Sequence, residues 1–375
     1  AAMHKKKHWI TTTQAAKLMG CSTSYLRKNR DALGIQTRAL NPNARRVAYL
    51  WDEAGKDAFL VDAGGATRPV RSEAVAGDRS ADRTWHANAS NECKACHNAE
   101  SRFVLGFVSN QLNRDVPTAA GKVNQLSLLA TQGVLDEPVK VAADDPSKLA
   151  AIHDQQATLE SRARSYLHVN CSMCHQPGGN AIVSFFLRRD MPFEQLNTNK
   201  GTGIGTFGIQ NAKIIAPGDP YRSILVYRMS KLGYARMPYI GSRVVDPAGM
   251  SIVTQWIESL PREQQANAAP PSPPLASDSP AASSLKLLTS NPASARDQRQ
   301  AAIRDLLQST ESSLALISRM HRGEIQAEDR NFASVQGSSA TRGDIRGLFE
   351  TFVPESQRRA TLGDRIEPRT ILDRQ

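Results

Sequence analysis

Three observations predict a mainly α-helical, multidomain chain. Apolar residues recur at helical spacing through most of the second half, the short Cys-x-x-Cys-His motif occurs twice, and a Pro/Ala/Ser-rich stretch separates the second motif from a further helical segment. The expected architecture is two small helical domains, each carrying one motif, with a small β-hairpin ahead of the first and a flexible linker before a helical C-terminal segment.

The elements follow in order. Residues 1–46 are basic, and WITTTQAAKLMGCSTSYLRKNRDAL within them suggests a helix-turn-helix of the excisionase type, with a turn at Gly20 and Ser22 as a cap. Residues 47–136 form the first motif domain. It opens with VAYLWDEAGKDAFLVDAGG, whose two apolar runs flank Asp-Glu-Ala-Gly and predict a hairpin. In the same domain, Phe103, Val104, Phe107, Val108 and Leu112 fit one helix face. Residues 137–156 are a connector.

Residues 157–260 form the second motif domain. Its first helix carries Leu159, Ala163, Tyr166 and Leu167 and runs into Cys171; its last carries Ile252, Val253, Trp256, Ile257 and Leu260. Asp246-Pro247 opens that last helix, and Asp219-Pro220 opens a helix over YRSILVYRMS, each as N-cap followed by Pro at the first helical position. Residues 261–284 are the linker, too poor in large apolar side chains to build a core. Residues 285–375 read as a helical spacer without cysteine.

The 375 residues suffice for two or three domains. No apolar run approaches the roughly 18 residues needed to cross a bilayer as a helix. The net charge of +11 resembles a nucleic-acid signal, but the first fifty residues hold ten Lys and Arg against one acid, Asp31, so the remainder is nearly balanced. The chain does not start with Met and ends on TILDRQ without a helix-ending signal, which reads as a segment of a longer gene product.

Four of the five cysteines lie in ECKACHN (residues 92–98) and NCSMCHQP (residues 170–177), and Cys21 stands apart. This usage is specialised rather than a disulfide framework. Two thiols separated by two residues reach the two vinyl groups on one edge of a haem, and the following imidazole then lies under the iron. A zinc site would instead draw on Cys93, Cys96, Cys171 and Cys174 together, leaving both adjacent histidines without a role; disulfide or thioredoxin-like chemistry is the third reading. Met237, in ARMPYIG, supplies a thioether on a Pro-stiffened loop and is the candidate sixth ligand for the second motif, while Met229 and Met250 fall on helices as core residues. The first motif has no such Met. His86, His153 and His168 are its imidazole candidates, and an iron with an open position there would bind peroxide or other small ligands.

WHANASNECKACHNAESRFVLGFVSNQLNRD, ARSYLHVNCSMCHQPGGN, IIAPGDPYRSILVYRMS, RMPYIG and VVDPAGMSIVTQWI together resemble the dihaem cytochrome c module of Planctomycetes and related bacteria. The resemblance covers roughly residues 47–260. It implies two cytochrome c-like domains and two covalently bound haem c groups. Cys93, Cys96 and His97 would hold one, and Cys171, Cys174, His175 and Met237 the other. It further implies electron transfer from a periplasmic or cell-surface dehydrogenase of the β-propeller sugar or sorbosone type to a downstream acceptor. LFETFVPESQRRATLGDRIEPRTIL resembles the helical spacer that precedes a further cytochrome domain in large planctomycete dehydrogenases. Lys94 and Arg236 are the candidate docking charges.

The basic N-terminus departs from that pattern. Arg27, Lys28 and Arg30 on a recognition helix, with Lys5 to Lys7 on phosphate, would suit DNA, and a DNA-binding protein with a structural zinc site is the remaining alternative. Attachment of haem c outside the cytoplasmic membrane argues against nucleic acid as the partner.

Overall fold

The computed structural model describes residues 48–52, 56–62, 64–71, 82–97, 105, 108–119, 121–135, 145, 147–262, 279–290, 294–354 and 357–358. The helix-turn-helix expected within residues 1–46, Cys21 and most of the helix expected around Phe103 to Phe107 lie outside them. The described chain is mainly helical, with eleven α-helices and three small two-stranded sheets. It divides into two units, one of residues 1–68 and 85–197, the other of residues 69–84 and 198–375.

The expected hairpin is present. Strand β1 (Tyr49–Trp51) runs antiparallel to β2 (Ala58–Leu60), with Leu50 opposite Phe59. Asp52 closes it, because its carboxylate accepts the Lys56 N–H at 2.8 Å. Strands β3 (Ala66–Arg71) and β4 (Asp82–Ala87) form a second sheet. Gly65 leads into it at φ +85°, where a Cβ would come within 2.9 Å of the Ala87 carbonyl oxygen, so this turn requires glycine.

In the first unit the chain continues through α1 (Ser90–Cys96), α2 (Ser109–Leu112), the antiparallel pair β5 (Asp115–Thr118) and β6 (Gly121–Asn124), and α3 (Gln125–Thr131). Asn124 caps α3 by accepting the Leu126 and Ser127 N–H groups. The longest helix of the unit is α4 (Leu159–Cys171), started by Thr158, whose hydroxyl accepts the Ser161 N–H at 3.1 Å. It buries Ala163 and Leu167, as the periodicity predicts, together with Arg164 and Ser165.

In the second unit, α5 (Ile224–Met229) and α6 (Pro247–Ser259) precede α7 (Pro280–Ser290), α8 (Arg296–Leu306), α9 (Thr310–His321), α10 (Ala327–Ser338) and α11 (Gly343–Phe349). Helix α9 is central: ten of its twelve residues are buried, and it packs on α6, α7, α8 and α11. Asp246 caps α6 as expected, accepting from the Ala248 and Gly249 N–H groups.

Three boundaries differ from the sequence expectation. The helix expected over YRSILVYRMS is two elements, a 3₁₀ turn Pro220–Arg222 capped by Asp219 and then α5. Ser223 between them is extended because its neighbours bond Lys213 as in a parallel bridge: Lys213 N–H donates to the Arg222 carbonyl at 3.1 Å and Ile224 N–H to the Lys213 carbonyl at 2.9 Å. The expected linker of residues 261–284 gives way to α7 at Pro280, a residue pre-set for a helix start. The division between units falls at residues 197 and 198, inside the stretch expected as one domain from 157 to 260. Residues after 197 are tied to the C-terminal helices instead. The Gln210 N–H donates to the Glu311 carboxylate at 2.7 Å, the Thr310 hydroxyl to the Phe207 carbonyl at 2.9 Å, and the Tyr227 hydroxyl to the Asp344 carbonyl at 3.0 Å.

Candidate functional site

Both Cys-x-x-Cys-His motifs sit at the C-terminal end of a helix. In the first, α1 ends at Cys96 and His97 is its C-cap; the His97 N–H donates to the Cys93 carbonyl at 2.9 Å. In the second, α4 ends at Cys171, and the His175 N–H donates to the Cys171 carbonyl, also at 2.9 Å. The first motif is therefore the last turn of α1 closing on its C-cap, and the second is a turn that continues beyond α4.

The start of α1 is fixed by Glu92, whose carboxylate accepts the Ala89 N–H at 2.7 Å. The same oxygen lies 3.0 Å from His86 Nε2, while His86 Nδ1 is 3.1 Å from the Thr67 hydroxyl. Both nitrogens of His86 are thus engaged. His168 is engaged through one nitrogen, its Nδ1 accepting the Arg189 N–H at 3.1 Å. Burial holds the His168 pKa below the ordinary imidazole value, which fits a neutral ring whose Nδ1 is an acceptor. His153 is exposed.

Residues 172–197 wrap the second motif. The Ser172 hydroxyl donates back to the His168 carbonyl at 2.6 Å, the Leu187 N–H donates to the His175 carbonyl at 2.9 Å, and the His175 ring stacks on Phe185 with centroids 4.2 Å apart. Buried Arg164 pairs with Glu160 at 3.1 Å and donates to the Arg188 carbonyl at 3.2 Å and to that of Met191, tying α4 to the strap beyond the motif. Gly179 is required by packing: a Cβ there would lie 2.2 Å from the Cys174 carbonyl oxygen. That oxygen accepts the Ala181 N–H at 3.3 Å.

The two motifs meet through their second cysteines. The Cys174 thiol lies 3.8 Å from the Cys96 sulfur and 3.6 Å from the Ala95 carbonyl oxygen, and Asn180 Nδ2 donates to that same carbonyl at 2.9 Å and to the Lys94 carbonyl at 3.3 Å. The shared S–H bond holds the Cys96 pKa up, with burial adding to it, and pulls that of Cys174 down. Burial pushes the Cys171 thiol up to about 12. None of the four motif cysteines is in a disulfide. Among the described residues no three His, Cys, Asp or Glu side chains converge as a metal cage.

Met237 belongs to the second unit. It is half-buried, joined to Pro238 by a cis peptide bond, and its N–H donates to the Arg228 carbonyl at 2.9 Å. Its loop is braced by two guanidinium groups: Arg228 Nε donates to the Ala235 carbonyl at 2.7 Å, and Arg236 donates to the carbonyls of Ser242 and, at 3.2 Å, Val244. Arg236, expected as a docking charge, is thus committed to its own loop, whereas Lys94 is exposed. Met250 is a core residue as expected, buried with Leu232 and Val245, and Met229 is half-buried on α5.

Sequence reasoning missed two residues of this site. Glu92 has a recognisable signal, a glutamate at the third position of a helix. Asn180 and its contact with α1 have none, because they depend on a pairing 85 residues apart in the chain.

The fold and site thus define a mainly helical chain with two Cys-x-x-Cys-His turns in one unit. Protein-family models, curated proteins and solved structures contain nothing that matches it. Among the described residues no helix is long and apolar enough to cross a membrane.

Proposed function

We propose that the chain is a dihaem c-type cytochrome that passes single electrons from a dehydrogenase outside the cytoplasmic membrane to a downstream acceptor. The observation that carries this reading is the shared turn: the 2.9 Å bond from His97 N–H to the Cys93 carbonyl is reproduced between His175 and Cys171. Each turn supplies the donor set that haem c needs, two thiols for thioether bonds and one imidazole for iron, and each motif carries it in full. When bound, the group supplies reversible one-electron chemistry at iron.

The chain's own residues hold and orient. His175 is fixed through its carbonyl by Leu187 and through its ring by Phe185, so its imidazole presents one direction. Met237, which the resemblance implies as a ligand of the second haem, sits on a loop stiffened by Arg228 and Arg236. Cys93, Cys96 and His97 hold the first haem. Lys94, beside that motif, offers an exposed positive charge to an acidic docking surface.

A second reading concerns the first motif alone. His86 has both ring nitrogens engaged and His168 its Nδ1, so using His86, or His168 through Nδ1, as a ligand to iron at the first motif would break an existing bond. This favours an exchangeable position there, suited to peroxide or another small ligand.

Pyridine haemochrome quantitation of the full chain, expressed with haem c attachment machinery, tests the proposal. Two covalent haems per chain are expected; a chain that leaves the machinery without haem sinks it. A high-spin contribution from one of two haems supports the second reading, and two fully low-spin haems remove it.

A further inference from the structure

We propose that Cys96 and Cys174 form a disulfide that joins the two motifs in the haem-free chain and that must be reduced before either haem is attached. The bond rests on the geometry of the thiols; its role as a gate rests on the dihaem reading above.

The two sulfurs belong to residues 78 positions apart in the chain and lie 3.8 Å from each other. A disulfide needs about 2.05 Å between sulfurs, so a closing movement of roughly 1.8 Å suffices. The surroundings hold the partners for that movement. Asn180 clamps the loop after Cys174 onto the end of α1 through the Ala95 and Lys94 carbonyls, and the absence of a side chain at Gly179 lets the loop fold tightly against Cys174. The approach is thus made by hydrogen bonds outside the thiols themselves.

The oxidant is a small disulfide, RSSR, by thiol–disulfide exchange. One thiol attacks RSSR, forming a mixed disulfide and releasing RSH. The second thiol then attacks that mixed disulfide, forming the Cys96–Cys174 bond and releasing the second RSH. Two protein thiols lose two electrons, the S–S bond of RSSR gains them, and both protons leave on RSH. The product occupies one attachment thiol of each motif, so a single bond blocks both sites.

The test uses the full haem-free chain, treated with oxidised glutathione, alkylated and digested with trypsin without reduction. Cleavage after Lys94 separates Cys93 from Cys96, so the bond is readable by mass. The expected product is residues 95–102 joined to residues 165–188, retained in the Cys93→Ser/Cys171→Ser double variant and absent from Cys96→Ser and from Cys174→Ser. A Cys171–Cys174 bond, a Cys93–Cys96 bond or four alkylated thiols would overturn the proposal. Oxidised and reduced chains are then offered haem with the attachment machinery. The reduced chain is expected to take two haems and the oxidised chain none until a dithiol is added. Equal uptake by the mapped disulfide form overturns the gate. No uptake by the reduced chain overturns the dihaem reading and the gate, while the mapped bond stands or falls on the peptide data alone.

Discussion

His97 and His175 make the same backbone bond to the first cysteine of their motifs, yet the second imidazole is stacked on Phe185 and 8% exposed, whereas the first is half-buried at the end of a seven-residue helix that buries none of its residues. The local turn is the same because the sequence Cys-x-x-Cys-His continues a helix in both places. The surroundings differ because α4 is thirteen residues long and carries its own strap, anchored by Arg164 and Gly179. Motif spacing fixes which atoms face a ligand; the packing behind the motif decides how firmly they are held.

The largest effect that can break this comparison is on haem count. On the dihaem proposal, alanine at both Cys93 and Cys96 leaves one haem per chain, held by the second motif, and alanine at both Cys171 and Cys174 leaves one held by the first. Haemochrome quantitation reads either result directly. If removing the first pair abolishes both haems, the motifs are not independent and their equivalence fails.

The next test concerns the strap. Gly179→Ala places a methyl group 2.2 Å from the Cys174 carbonyl oxygen, which forces the turn to open. A destabilisation of about 2 kcal/mol or more is expected, read from the midpoint of denaturant unfolding. Unchanged stability would mean that the strap gives way freely and does not hold the second motif.

A smaller effect is expected at the start of α1. Glu92→Ala removes the acceptor for the Ala89 N–H and one of the two partners of His86. Loss of such a cap costs about 1 kcal/mol. Glu92→Gln retains an acceptor oxygen and is expected to recover most of it; equal loss in both variants would assign the effect to the charge of the carboxylate instead.

The sequence makes the helical class, the hairpin, the Asp246 and Asp219 caps and both motifs legible, because each follows from short-range chemistry: periodicity, a cap next to Pro, two thiols a turn apart. It does not disclose that residues 198–262 belong with the C-terminal helices. That grouping depends on long-range bonds such as Gln210 to Glu311 and Tyr227 to Asp344, and no local pattern encodes them. The split of YRSILVYRMS is hidden for the same reason, since the bridge to Lys213 overrides a sequence with good helical propensity. The partners of His86 and His168, namely Thr67, Glu92 and the Arg189 N–H, are likewise invisible in the sequence.

His168 provides the subtlest means of separating the two motifs. Its Nδ1 accepts a backbone N–H, so protonation of the ring removes that acceptor from beneath the second motif and leaves the first untouched. Burial lowers its folded pKa, so the unfolded chain takes up a proton at higher pH than the folded one does. The sign follows: stability is unaffected well above the ordinary imidazole value near 6.5, and falls as pH drops from there toward the lowered folded value. Nearby Asp190 acts in the opposite direction and reduces the slope. Hydrogen exchange at the Arg189 amide, compared between pH 7.5 and 5.5 after correction for intrinsic rates, is expected to show lost protection in the wild type. His168→Asn keeps a neutral acceptor near the same position and is expected to flatten that dependence. If the dependence survives in His168→Asn, another group controls the strap and the contrast between the motifs does not lie in this histidine.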